Sequence, residues 1–201
     1  MRERKRTRLK NYDYSQGGYY FVTVCTEKRE EWFGKIEDGE MCFSKFGKVA
    51  KDFWAEIPLH FQHIRIDEFS VMPNHVHGIL IIEEDLVGNL VGNAYMRSHK
   101  RNAFMHSLQD KTKMLLSKII QQYKSSVTRK INSMQNDFKF EWQKSFYDHI
   151  IRSKKSLENI RQYTHSNPLK WELDIENKKG LNTCSIQKGC KDYYYAIIDG
   201  R

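Results

Sequence analysis

Residues 72 to 82 read Met-Pro-Asn-His-Val-His-Gly-Ile-Leu-Ile-Ile, and no other stretch constrains the fold as much. Pro73-Asn74 is turn chemistry, because proline presets φ and asparagine tolerates unusual backbone angles. The branched apolar run behind it reads as a strand. In an extended chain alternate side chains share a face, so His75 and His77 point one way while Val76 points into the core. Just upstream, Ile64, Ile66, Glu68 and Ser70 alternate with Arg65, Asp67, Phe69 and Val71. Two strands joined by so short a turn are antiparallel neighbours. The histidine pair is thereby expected at the start of a strand, with its side chains able to reach a cleft. Two neutral imidazoles on one rigid face form half of a metal site. Two histidines can equally fall on the polar face of an amphipathic strand, and the bare motif leaves both readings open.

At 201 residues the chain is long enough to bury a real core and suggests one domain with additions. Its 34 Lys and Arg against 25 Asp and Glu give a net charge of +9, which points to a polyanionic partner. Many small proteins are moderately basic, so charge alone does not establish one. Arg2, Arg4, Lys5, Arg6, Arg8 and Lys10 concentrate charge in an N-terminal arm, residues 1–16, that reads as solvated chain or as a phosphate-binding arm. Cys25, Cys42, Cys184 and Cys190 form no C-x-x-C pair and follow no signal peptide, so free thiols in a cytoplasmic protein are expected. No apolar run approaches the ~18–20 residues that span a bilayer, and no membrane partner is expected.

Along the chain, Tyr19 to Thr26 has strand composition. Residues 33–36 and 41–43 flank Asp38-Gly39, a hairpin signal. Ser44 can cap a helix whose Phe46, Val49, Phe53, Trp54 and Ile57 recur at helical spacing before Pro58. Residues 84–107 lack periodicity and read as a mobile basic loop containing Arg97, Lys100 and Arg101. From 107 to about 133 one long helix is expected, with Leu116, Ile120, Tyr123, Val127 and Ile131 on one face and Lys118, Lys124 and Arg129 among its charges. Residues 142–152 suggest an aromatic connector or short strand. A last helix runs from about Ser156 and stops at Asn167-Pro168, with Ile160, Tyr163 and Asn167 on one face. The polar residues 172–201 read as a poorly ordered extension, pinned by Tyr193-Tyr194-Tyr195.

Taken together, Pro73-Asn74-His75-Val76-His77-Gly78 and Tyr163-Thr164-His165-Ser166-Asn167-Pro168 resemble the HUH single-tyrosine transposases, within them the repeat-associated tyrosine transposase branch. The resemblance includes Leu9 to Tyr14, the Tyr-Phe-Val-Thr-Val strand, Lys124 to Thr128 and Trp142 to Arg152, about three quarters of the chain in matching order. It implies an α+β fold, an antiparallel sheet backed by helices in the RRM-like or ferredoxin-like manner, over residues 17–171. It implies His75, His77 and Asn167 as ligands of a divalent Mg²⁺ or Mn²⁺ ion, and Tyr163 as nucleophile on a C-terminal catalytic helix. Mg²⁺ prefers oxygen donors and Mn²⁺ tolerates imidazole. The implied activity is cleavage and rejoining of single-stranded DNA near hairpins through a covalent 5′-phosphotyrosine. The basic residues of arm, loop and long helix then become candidate phosphate contacts. The family contains monomers and homodimers.

Without that pattern, Tyr163 is an ordinary half-buried helix tyrosine. Tyr147, next to Asp148-His149, is the rival nucleophile, and His165 falls on the far side of its helix. Two other functions stay open: a hydrolase in which metal-activated water replaces tyrosine, and a DNA-hairpin-binding protein without catalysis.

Overall fold

The computed structural model describes residues 17–83 and 101–177, with 189, 192 and 194–198; for 101–114 the backbone alone is described. The first strand, β1 (Gly18–Cys25), leads through a 3-10 turn (Glu27–Arg29) to the hairpin β2 (Gly34–Glu37) and β3 (Glu40–Phe43). Asp38 and Gly39 both take positive φ, 51° and 78°, the backbone that a tight two-residue hairpin turn requires. Helix α1 (Lys45–Ala55) starts where Ser44 was expected to cap it, with Ser44 Oγ accepting from the N–H of Phe46 and of Gly47 at 3.1 Å each. A short α2 (Ile57–His60) follows, and Pro58 stands in its first turn, where no N–H is needed.

Strands β4 (Ile64–Met72) and β5 (His75–Ile82) are the expected hairpin, closed by Pro73-Asn74. Helix α3 spans Arg101–Ser133, so residues 101–107 are helical rather than part of the expected loop. The rest of that loop lies outside the described residues. Strand β6 (Tyr147–Ile151) fills the aromatic connector, and helix α4 (Lys154–Ser166) is capped by Ser153.

The main sheet has the order β4-β5-β1-β6, with every neighbour antiparallel. Its alternation sorts side chains into two cores. Tyr20, Val22 and Val24 of β1 and Val76, Leu80 and Ile82 of β5 face α1 and α3, where they meet Trp54, Ile120 and Val127. Each such large apolar side chain contributes roughly 1.5–3 kcal/mol when fully buried. Phe21, Ile79 and Ile151 face the other way, against Ile160 and Tyr163 of α4 and against Tyr194 and Ile198. The expected apolar face of α3 is buried throughout from Leu116 to Ile131. The fold is thus the expected α+β arrangement, helices on both sides of an antiparallel sheet, with the His face turned toward α4. Among the described residues no helix is long and apolar enough to cross a membrane.

Candidate metal centre and nucleophile

His75 and His77 do point the same way, but they are 0% and 1% exposed rather than open to a cleft. What closes over them is the segment after α4. The proline was expected to expel Asn167 from helical geometry. Asn167 instead keeps φ −62° and ψ −38°, and the chain continues as a 3-10 turn (Pro168–Leu173) that brings Asp174 back beneath Tyr163. Trp171 of that turn lies 6.1 Å from His75, ring to ring. Asp174 and Asn177 are 2% and 4% exposed, so this part of the C-terminal extension is built into the site instead of being loose chain.

Asp174 is the residue that sequence reasoning missed. Tyr163 Oη donates to Asp174 Oδ2 at 3.0 Å, Asn167 Nδ2 donates to the same oxygen at 2.6 Å, and the Glu176 N–H donates to Oδ1 at 2.7 Å. Tyr163 and Asn167 stand one helical turn apart on one face, so both reach the same carboxylate. That spacing was visible in the sequence; an aspartate in a polar tail was not marked by any periodicity. His75 Nε2 lies 4.0 Å from Asp174 Oδ2. Donor atoms of His75, His77 and Asp174 all lie within 4.8 Å of one another, a spacing that could hold a metal ion.

A chain of hydrogen bonds sets the imidazole tautomers. Asn74 Nδ2 donates to the carbonyl of Glu176 at 2.9 Å, which orients its amide and leaves Oδ1 to accept from His75 Nδ1 at 2.8 Å. His75 Nε2 therefore carries a lone pair, and His77 Nδ1 donates to it at 3.1 Å. His77 Nε2 and Asn167 Oδ1 are then buried acceptors without a hydrogen-bond partner. Two orphaned acceptors in a dry pocket that also holds a carboxylate suit a divalent cation. Burial pulls the His75 imidazole down to about 4, against Glu176 and with a smaller push from Arg29. It pulls His77 down to about 3, with His75 adding to the fall and Asp174 opposing it. Both rings are neutral at pH 7, the state that ligates metals. The Tyr163 phenol is pushed well above its usual range, by burial first and then by the Asp174 carboxylate.

The other expected residues distribute as follows. Tyr147 pairs with Thr23 in register and packs on Tyr194, ring centroids 6.2 Å apart. His165 is exposed. Lys118 and Arg129 are exposed on α3, whereas Lys124 is half-buried and donates from Nζ to the carbonyls of Gln143 and Lys144. Arg2, Arg4, Lys5, Arg6, Arg8, Lys10, Arg97 and Lys100 lie outside the described residues, as does the side chain of Arg101. A cleft of about 560 Å³ runs along α4, with Gln162, Tyr163, Ser166 and Lys170 in its wall.

An uncharacterized protein of Haemophilus influenzae is 35% identical over 87% of this chain and 93% of its own length. The chain belongs to one family with that protein. A second Haemophilus influenzae protein, described as a putative REP-associated tyrosine transposase, is 24% identical over 81% of this chain and 77% of its own. The solved structure of a REP-associated tyrosine transposase bound to a REP hairpin superposes with a TM-score of 0.51 at 18% identity, over 82% of this chain and 73% of that one. No family model matches the chain. The resemblance to REP-associated tyrosine transposases first carried by the two motifs is therefore present in the sequence at large and in the fold.

Proposed function

We propose that the protein is a metal-dependent transposase that cuts and rejoins single-stranded DNA beside hairpins, working in the cytoplasm, with Tyr163 as the nucleophile. One observation carries this reading: the hydroxyl of Tyr163 shares an oxygen of Asp174 with Asn167, and that oxygen borders the His75–His77 pair. A buried tyrosine needs a hydrogen-bond acceptor, but not one inside a cluster of metal donors. The hairpin bound to the structural neighbour and the transposase description of the weaker relative support DNA with hairpins as the substrate.

His75, His77 and Asp174 would hold the ion, with Asn167 Oδ1 as a further donor once the amide reorients. The ion would supply charge relief to the scissile phosphate. The chain's own residues do the rest. Tyr163 is anchored by the Phe21 and His77 rings, 6.2 and 5.3 Å away, so its hydroxyl is presented from a fixed direction. Asp174 receives the phenolic hydrogen bond and stands where it can take the proton as the phenol oxygen attacks phosphorus. The P–O3′ bond breaks, the 3′ oxygen leaves as a hydroxyl with the proton that Asp174 took, relayed through water, and the 5′ phosphate stays on Tyr163. Attack by another 3′ hydroxyl reverses these steps and rejoins the strand, with no external energy source. The exposed Lys118 and Arg129, with the basic arm and the Arg97, Lys100 and Arg101 segment, would hold the DNA backbone.

The test is incubation of a labelled hairpin carrying single-stranded flanks with the protein and Mn²⁺. A protease-sensitive protein–DNA adduct is expected. Strand release without an adduct would assign the chemistry to water, and a gel shift without cleavage would leave a binding protein.

A further inference from the structure

Arg29 carries a positive charge to the edge of the centre, in a backbone that costs free energy to hold. Thr26 Oγ1 donates to the carbonyls of Glu30 at 2.8 Å and Asn74 at 3.0 Å, closing the turn after β1 onto the β4–β5 turn. Inside it Lys28 and Arg29 take φ of 53° and 57°. Neither is glycine, and a left-handed residue with a Cβ costs roughly 1–2 kcal/mol. Such a conformation persists where the surroundings impose it, and it concentrates at functional sites. The imposing contacts are the Arg29 N–H to the Thr26 carbonyl at 3.1 Å and Asn74 Nδ2 to the Arg29 carbonyl at 3.4 Å. Asn74 is also the residue that orients His75, so one side chain ties Arg29 to the histidine pair.

The guanidinium Nε of Arg29 pairs with Glu176 Oε2. That oxygen also receives the Cys25 thiol at 3.5 Å, and Cys25 is the cross-strand partner of His75. The Glu176 N–H holds the other oxygen of Asp174. The guanidinium thus stands one carboxylate away from the His–Asp cluster. The side chains are 30% and 16% exposed, so the ion pair sits at the rim. A carboxylate and a phosphodiester offer a guanidinium the same pair of anionic oxygens.

We propose that Arg29 is a catalytic residue that clamps the non-bridging oxygens of the scissile phosphate, giving up Glu176 as the strand enters. It rests on the strand-cleaving function above. Arg29 stays protonated throughout; its part is to offset the charge that builds on the phosphate oxygens during in-line attack, from a direction fixed before the strand arrives. The exchange is anion for anion, so the guanidinium is never left buried without a partner.

The experiment is a charge-deletion cycle. A fluorescein-labelled DNA hairpin with single-stranded flanks is prepared with each flank phosphate in turn replaced by a neutral methylphosphonate, and binding is measured by anisotropy without cleavage in EDTA. At one position, neutralisation should weaken binding by the wild-type chain about tenfold or more, the scale of a charge-assisted hydrogen bond. Arg29→Ala should be indifferent at that position alone. Arg29→Gln, which keeps a donor for Glu176 and so preserves folding, should be indifferent too, and Arg29→Lys should retain part of the effect. Variants that show the wild-type penalty at every phosphate overturn the assignment, even where the adduct forms on Tyr163. Absence of hairpin binding by the wild-type chain would remove the strand-cleaving function itself, and the clamp with it.

Discussion

Tyr163 and Asp174 form a buried donor–acceptor pair, Oη to Oδ2 at 3.0 Å, between residues eleven apart that the 3-10 turn brings face to face. A phenol held this way has its pKa raised, so it is protonated at rest and must pass its proton on as it attacks. Tyr163→Phe removes that donor and keeps the ring. Losing a hydrogen bond to a carboxylate is expected to cost about 1.5–3 kcal/mol of stability. The covalent adduct and cleavage should vanish while hairpin binding persists. Tyr147→Phe should keep the adduct. Mass spectrometry of the trapped peptide–nucleotide conjugate decides; a conjugate on the Tyr147 peptide, or full cutting by Tyr163→Phe, refutes the assignment.

Asp174→Asn keeps the shape of the side chain and removes its charge. If Asp174 completes the metal site, Mn²⁺ should raise the melting temperature of the wild-type chain but scarcely that of the variant. At a hundredfold excess over Kd the expected stabilisation is about 2.7 kcal/mol. An equal Mn²⁺ shift in both proteins would show that the histidines hold the ion without Asp174. Since His75 and His77 are wholly buried, alanine there is expected to lower the melt as well as abolish cutting, so the metal titration is the cleaner reading.

Acidification should unfold the metal-free chain through these same histidines. Their folded pKa values, about 4 and about 3, lie below the ordinary 6.5. Between those limits the unfolded chain binds more protons than the folded one, so stability rises with pH in that window and is lost as pH falls through it. Urea midpoints at pH 7, 5.5 and 4.5 should drop stepwise for the wild type. A double His75→Gln, His77→Gln variant should show a shallower drop; equal slopes would mean that other groups drive acid unfolding.

Gly78 follows the histidine pair at the point where the β4 register shifts between Ile66 and Phe69. A Cβ there would stand 2.5 Å from Phe69 Cβ and 3.1 Å from the Glu68 carbonyl oxygen. Gly78→Ala is therefore expected to cost about 1–3 kcal/mol by overpacking. A melting temperature equal to the wild type would show that β4 can give way at Phe69.

Charge on α3 should divide by what each side chain holds. Lys124 donates to two carbonyls, so Lys124→Ala should lower the melting temperature. Lys118→Ala should leave the melt unchanged and reduce the salt dependence of hairpin binding by about 0.7 log units per decade of salt, the value for one phosphate contact on a single strand. An unchanged salt slope would make Lys118 an ordinary solvated lysine.

The local elements were readable because each rests on contacts between near neighbours in the chain. The Pro73-Asn74 turn, the period-two face of His75 and His77, the Ser44 cap, the Asp38-Gly39 hairpin and the buried stripe of α3 all follow from residue type and local spacing. The one-turn separation of Tyr163 and Asn167 did too, and it placed both on one face of their helix. The start of α3 was misread, because residues 101–107 carry no clear apolar period. What spacing could not give was the partner brought in from far along the chain. Asp174 and Glu176 sit in a polar tail with no motif, and Arg29 sits in a turn with no glycine. The burial of the histidine pair was hidden for the same reason, since it is the returning chain after Asn167 that covers it. Sequence determined which side chains share a face; only the tertiary structure decided which faces meet, because a carboxylate's place in a site depends on a chain reversal that local propensity does not encode.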